Sequence, residues 1–266
     1  MDSRPLAPDG SARVPAPSCS VASFNAHYGR DRYDQPFDVL GACRSFDADV
    51  IALQEVWWPD DQSGWLDDLR SLGYQLAELP LARAGLSPTL NIHRVPAHNT
   101  GWWGIAIASR LPVLASGTVG IGRTPFDPAG ERSALRIDVD LGQGERLSVT
   151  TVHATHYVPL APLHHIRLAK RLGRPERSVV LGDFNMWGPP AGWSFRGWKR
   201  PVRGRSYPAH RPHSQIDHLF ASPDLVVGDA EVMGDVGSDH RPIRARVGVL
   251  PAVSTKATCR STLSTS

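Results

Sequence analysis

"VVLGDFNMWG", residues 179–188, is the stretch on which the reading of this chain turns. The apolar run Val179–Leu181 stops at Gly182, and Asp183 and Asn185 follow with only Phe184 between them. In an extended chain residues i and i+2 share a face, so Asp183 and Asn185 would present oxygens side by side while Phe184 turns into packing. The apolar run suits a strand buried on both faces, with the polar pair at its carboxyl end facing a cleft. A plain strand followed by an Asx-type turn accounts for the same residues without any chemistry. Partners elsewhere in the chain have to decide between the two.

Other strand-like stretches end the same way. "VASFNAH" (21–27) runs into Asn25, "DVIALQEVW" (49–57) into Gln54 and Glu55, and "LSVTTVHATH" (147–156) into His153. "QIDHLFAS" (215–222) carries Asp217 and His218 within an apolar strand, and "GSDHRPI" (237–243) sets Asp239 and His240 before the last one. Singly each has a bland explanation: a loop cap, a solvated acid, a hydrogen-bonded core histidine. Together they form an oxygen-rich set with neutral imidazoles and no cysteine, which suits a hard cation such as Mg²⁺, or Mn²⁺ in its place, rather than structural zinc. Magnesium sites use one or two carboxylates and leave room for substrate phosphates, and Glu55 and Asp239 suffice for that.

The bulk properties bound the rest. The chain has 266 residues, 41% of them hydrophobic, enough for a core without staples, and a net charge of +3. Only three of the 29 basic residues are lysines; arginine's planar fork suits bidentate phosphate binding, although proteome bias gives the same count. Three scattered cysteines (Cys19, Cys43, Cys259) make neither a disulfide framework nor a thiolate metal site and fit a reducing, cytoplasmic setting. Residues 1–18 lack the apolar segment of a secretory signal, and no apolar run approaches the roughly 20 residues of a membrane span. Residues 1–18 and 251–266 read as disordered tails, leaving one domain over 19–250. Within it we read eleven short strands and three helices, at Phe37–Phe46, Gly64–Leu72 and Pro162–Leu172. This excess of strands predicts packed sheets with helices outside.

In this order, "SFN", "LQEV", "GDFN", "IDHLF" and "SDHRPI", with "GIAIASRLPV" at 104–113, resemble the endonuclease/exonuclease/phosphatase superfamily from about Val21 to Val249. The resemblance implies a single-domain four-layer α-β-β-α sandwich, two packed mixed sheets flanked by helices with the cleft at one end, and metal-dependent phosphoester hydrolysis. It implies Glu55 as the principal metal ligand, with Asn25 and Asp239 beside the ion. Asp183 would orient or deprotonate the attacking water, and Asn185 would hold the phosphate or the nucleophile. His240 would stabilise the phosphoryl oxygens with Asp217 fixing its tautomer, and His153 would be a second histidine on the phosphate. His153, with no Gly-Tyr-Ser-Gly tract before "SRLP", points away from abasic-site enzymes and towards the branch that contains deoxyribonucleases, sphingomyelinases and other phosphodiesterases. In that branch a glutamate orients the corresponding histidine, and none of the motifs here identifies its match.

Substrate is less legible. The segment 196–211, "RGWKRPVRGRSYPAHR", holds six basic residues and no acid. Arg200, Arg203 and Arg205 would there follow a nucleic-acid backbone, with Trp187 stacking on a base. The same loop would equally serve a small phosphorylated metabolite, an inositol phosphate or a phospholipid headgroup, or be solvated surface. A non-catalytic binding module is a third class, disfavoured because every motif residue is intact.

Overall fold

The computed structural model describes residues 17–60, 64–84, 100–127 and 129–249. The two expected tails lie outside the described residues apart from Pro17 and Ser18, and Ser18 already pairs in the first strand.

Eleven strands form two sheets. The first runs in the order β10 (Leu225–Val232), β11 (Ile243–Val249), β1 (Ser18–Asn25), β2 (Val50–Pro59), β4 (Gly101–Ser109), β3 (Gln75–Ala84). The second runs β5 (Val113–Arg123), β6 (Glu131–Gly142), β7 (Glu145–His153), β8 (Ser178–Asp183), β9 (Asp217–Ala221). Both are mixed: β1 with β2 and β7 with β8 pair in parallel, the other neighbours antiparallel. All eleven expected strands are present.

Period-two alternation builds the layers. Val21, Ala52, Ile105 and Ile107 of the first sheet meet Ile137, Val149, Val179 and Leu181 of the second in the central core. Their neighbours Ala22, Phe24, Ile51 and Leu53 point the other way, under α1 (Val39–Ser45) and α2 (Trp65–Ser71). On the outside of the second sheet Val152, Val180 and Phe220 pack under α3 (Ala161–Leu172) and α4 (Gly188–Gly192). The result is the expected α-β-β-α sandwich in a single domain. The sequence does not predict α4, because its Gly-Pro-Pro start carries no amphipathic period. No described helix is long and apolar enough to cross a membrane.

Candidate active site

Register brings the polar strand ends together. In the second sheet His153 pairs with Asp183 and Asp183 with Asp217, so the end of β7, the end of β8 and the start of β9 form one row. Each continues the inward face of its strand: Thr151 precedes His153, Leu181 precedes Asp183, and Leu219 follows Asp217. Opposite them, β1 ends at Asn25, paired with Gln54.

Glu55 breaks the alternation. Leu53 faces α1 and Gln54 faces inward to Thr151, so an unbroken strand would turn Glu55 away from the second sheet. A register shift between Leu53 and Val56, with Glu55 at φ +50°, re-aims it. Its carboxylate accepts from Asn25 Nδ2 at 3.2 Å, and the same amide reaches Asp183 Oδ2 at 3.1 Å.

The local geometry at Asp183 departs from the extended pair expected there. The strand stops at Asp183, and Asn185 turns to φ +49°. Its backbone N–H donates to Asp183 Oδ1 at 2.8 Å, so the Asx-type turn set beside the functional reading is present and orients the carboxylate. Asn185 Nδ2 donates to the Ala154 carbonyl at 3.0 Å. Gly182 is required just before the turn: at φ +146° a Cβ would stand 2.1 Å from the Val152 carbonyl oxygen. Phe184 is fully buried on the outer side, as alternation predicts.

His240 Nδ1 donates to Asp217 Oδ2 at 2.9 Å, which leaves Nε2 3.8 Å from Asp183 Oδ2. His153 Nε2 lies 3.5 Å from Asp183 Oδ2 and 3.7 Å from Glu55 Oε1. The Ser238 hydroxyl donates to the Asn25 carbonyl at 2.7 Å and ties the Asp239–His240 turn to the end of β1. The cleft lined by Glu55, His153, Asp183, Asn185, Asp239 and His240 holds about 560 Å³.

The two histidines are electrostatic opposites. Burial opposes the charge of His240, but Asp217 and then Asp183 outweigh it and raise the imidazole well above its usual value. Burial, with Arg132 behind it, drives His153 well below. Burial pushes the Asp183 carboxyl up to about 7. It also raises Glu55, with the negative charge of Asp239 adding to the effect. His240 offsets part of this charge at both carboxyls, and His27 part of it at Glu55, yet burial leaves both acids raised. Carboxylates crowded in this way suit a divalent cation, so the donor set fits such an ion. Asp183, Asp217 and His240 also bring their ligand atoms within 4.8 Å of one another. That group is satisfied internally by the His240–Asp217 bond, and the Asp217 side chain is only 2% exposed. Glu55 and Asp239, at 16% and 24%, open onto the cleft and are the better place for an ion.

Sequence reasoning missed what stands behind His153. Arg132, 2% exposed, is clamped by Asp127 through Nε at 2.6 Å and Nη2 at 3.0 Å, and its Nη1 donates to the His153 carbonyl at 3.0 Å. The guanidinium lies 5.0 Å from the centre of the Trp103 ring, which tilts against the His153 ring at 5.2 Å. His153 Nδ1 has no hydrogen-bond partner among the described residues, so none of them supplies an orienting carboxylate. "ERSAL" around Arg132 carries no signal in sequence; "GWWG" around Trp103 does.

Arg200, Arg203, Arg205 and Trp187 are not among the residues that line the cleft. Trp187 and the side chains of Arg203 and Arg205 are exposed. Arg200 instead donates to Gln215 Oε1 at 2.8 Å and to His218 Nδ1 at 3.3 Å. The loop's contribution to the cleft comes from Tyr207, Pro208 and His210, with Tyr207 against the His240 ring at 4.8 Å.

Comparison with known proteins agrees with this architecture. The description of the Endonuclease/Exonuclease/phosphatase family matches residues 22–240. No curated protein sequence matches the chain. Among solved structures, the catalytic domain of human Nocturnin with bound sulfate superposes with a TM-score of 0.66 at 19% identity, covering 88% of this chain and 94% of that one. An endonuclease/exonuclease/phosphatase from Beutenbergia cavernae DSM 12333 gives 0.63 at 21% identity over 87% and 72%. ANGEL2, a 2',3'-cyclic phosphatase in complex with adenosine-2',3'-vanadate, gives 0.62 at 16% over 87% and 96%. The chain belongs to the endonuclease/exonuclease/phosphatase family and has its phosphoesterase fold.

Proposed function

We propose that this protein is a hydrolase that uses Mg²⁺, or Mn²⁺ in its place, to cleave phosphate esters, and that its substrates are phosphodiesters of nucleic acid. The observation that carries the reading is the convergence of Glu55, His153, Asp183, Asp239 and His240 on one cleft, with Asn25 hydrogen-bonded to Glu55 and Asp183, and Asp217 to His240, directly behind it. Phosphoryl transfer requires little covalent help; in-line positioning and charge stabilisation do most of the work. A divalent cation held by Glu55 and Asp239, with Asn25 beside them, supplies neutralisation of phosphate charge and support for the leaving oxygen. Asp183, fixed by the Asn185 N–H and the Asn25 amide, takes the proton of the attacking water. Cationic His240, its tautomer set by Asp217, offers Nε2–H to a phosphoryl oxygen. Neutral His153 and the Asn185 side chain complete the wall against which the phosphate lies.

The likeness to ANGEL2, whose complex holds a nucleoside vanadate, supports a nucleotide-containing substrate. Arg203 and Arg205 are exposed just before Tyr207 enters the cleft wall, and on this reading they would meet phosphates beyond the scissile one. The size of the cleft favours a second reading, a single phosphorylated metabolite or headgroup, because about 560 Å³ accommodates one such molecule. The free, buried Cys19 and Cys43 fit a cytoplasmic setting.

The test is hydrolysis of a panel of polynucleotides, generic diesters and phosphomonoesters with Mg²⁺, Mn²⁺ or chelator. We expect metal-dependent cleavage of polynucleotides and loss of at least ~10²-fold in kcat for Asp183→Asn with KM little changed. Full activity in chelator, or in Asp183→Asn, would reject the mechanism; cleavage of small esters alone would select the second reading.

A further inference from the structure

Asn185 holds its left-handed backbone between two carbonyls that are each gripped by a buried imidazole. His165, on α3, has Nε2 2.8 Å from the Phe184 carbonyl oxygen. His218, on β9, has Nε2 2.8 Å from the Met186 carbonyl oxygen. Both histidines are at most 1% exposed. A carbonyl only accepts, so both imidazoles carry their proton on Nε2.

At His218 the other nitrogen settles the tautomer. Arg200 Nε, which can only donate, faces Nδ1 at 3.3 Å, while Arg200 Nη2 is anchored on Gln215 Oε1 at 2.8 Å. Nδ1 is therefore an acceptor and Nε2–H the donor. Burial, with the Arg200 charge adding to it, keeps this imidazole neutral. The chain of hydrogen bonds runs from Gln215 through Arg200 and His218 to the Met186 carbonyl, next to Asn185, whose N–H holds Asp183.

We propose that Arg200 and His218 are positioning residues: Arg200 anchors the His218 ring at Nδ1, His218 pins the Met186 carbonyl through Nε2–H, and the turn so held keeps Asn185 and Asp183 aimed at the reacting phosphate. The inference rests on the hydrolase reading above. It assigns Arg200 a duty other than binding substrate phosphate, and it gives His218, beside the functional Asp217 in the same strand, a duty of its own. A left-handed non-glycine residue costs about 1–3 kcal/mol and persists only where its surroundings over-determine it. Two carbonyl clamps around one residue are such surroundings.

The experiment combines nitrogen-15 spectra of the full chain with kinetics on the best substrate of the panel above. In the wild type, the imidazole signals of His218 should be those of the Nε2–H tautomer. In Arg200→Met the Met186 carbonyl still selects Nε2–H, but the ring loses its anchor at Nδ1, so the His218 Nδ1 signal and the backbone amide signal of Asn185 should both move. On the positioning role, kcat falls by up to ~10²-fold in Arg200→Met while KM stays close to wild type, since small misplacements act on the chemical step. His218→Gln, which can still offer an N–H to Met186, should retain more kcat than His218→Leu. An Nδ1–H tautomer in the wild type, or an unmoved Asn185 signal in Arg200→Met, overturns the inference whether or not any substrate has been found. A rise in KM with unchanged kcat overturns it too and returns Arg200 to the substrate. Should Arg200→Met not fold, Arg200→Lys, which keeps the charge but loses the Nε–H, carries the same comparison.

Discussion

At Glu55 backbone strain, burial and charge repulsion meet in one residue. Its left-handed φ of +50° is costly for a side chain with a Cβ, and its carboxylate is desolvated opposite Asp239. A divalent cation held by Glu55 and Asp239, as proposed above, would offset such costs. Mg²⁺ should therefore raise the melting temperature of the wild type, because a ligand that binds only the folded state stabilises it. In Glu55→Gln the metal-free protein should be at least as stable as the wild type. Its Mg²⁺ affinity by calorimetric titration should fall by ~10-fold or more, since even outer partners of a metal site are worth that much. An equal Mg²⁺-induced rise in both proteins would remove Glu55 from the metal site. Arg132 acts from behind. Against the burial that would raise it, the Arg132 guanidinium holds the Asp127 carboxyl below its ordinary value. Arg132→Leu leaves that buried acid alone and should cost about 3–5 kcal/mol in urea unfolding. A loss under about 1 kcal/mol would mean that the pair carries little of the wall behind His153.

At the level of elements, β8 and the loop 196–211 behave differently. β8 is rigid where it matters: Gly182 crosses close to the Val152 carbonyl, so Gly182→Ala must push β7 and β8 apart at His153 and Asp183. The loop divides. Arg200 is tied to His218, whereas Arg203 and Arg205 are exposed. If a polynucleotide backbone follows the loop, Arg203→Ala with Arg205→Ala should raise its KM and lower the salt slope of binding by about one unit for each phosphate no longer neutralised. Hydrolysis of a small diester should hardly change. An unaltered salt slope would make these arginines solvated surface.

For the whole molecule, the second sheet and its helices close over neutral histidines. Burial drives His164, His165 and His218 down to about 4, against about 6.5 in an unfolded chain. Between those values the unfolded chain holds more protons. The stability these groups contribute is thus fully present above pH 6.5 and is lost as pH falls towards 4. Asp183, raised to about 7, pulls the opposite way, so the clean comparison is between the wild type and His165→Gln. The advantage of the wild type at pH 7 should shrink by up to about 3 kcal/mol by pH 4 in denaturant unfolding. A difference constant over that range would show that His165 is not held neutral by the fold.

The layers and most of the cleft are legible in the sequence because they follow from period-two alternation, a local property. Val179, Leu181 and Asp183 share a face whatever the rest of the chain does, and so do Thr151 and His153. Six stretches that set oxygen or imidazole groups at strand ends therefore announce one polar edge before any strand is paired. Tertiary structure decides what alternation cannot. The bulge that turns Glu55 inward arises between β2 and β4, and the left-handed turn at Asn185 is held by imidazoles from α3 and β9. Arg132 reaches His153 across 21 positions, and Asn25 reaches Asp183 across 158. In the sequence Arg200 looks like a phosphate ligand because composition reports charge, but only packing tells which charges are already engaged by neighbours.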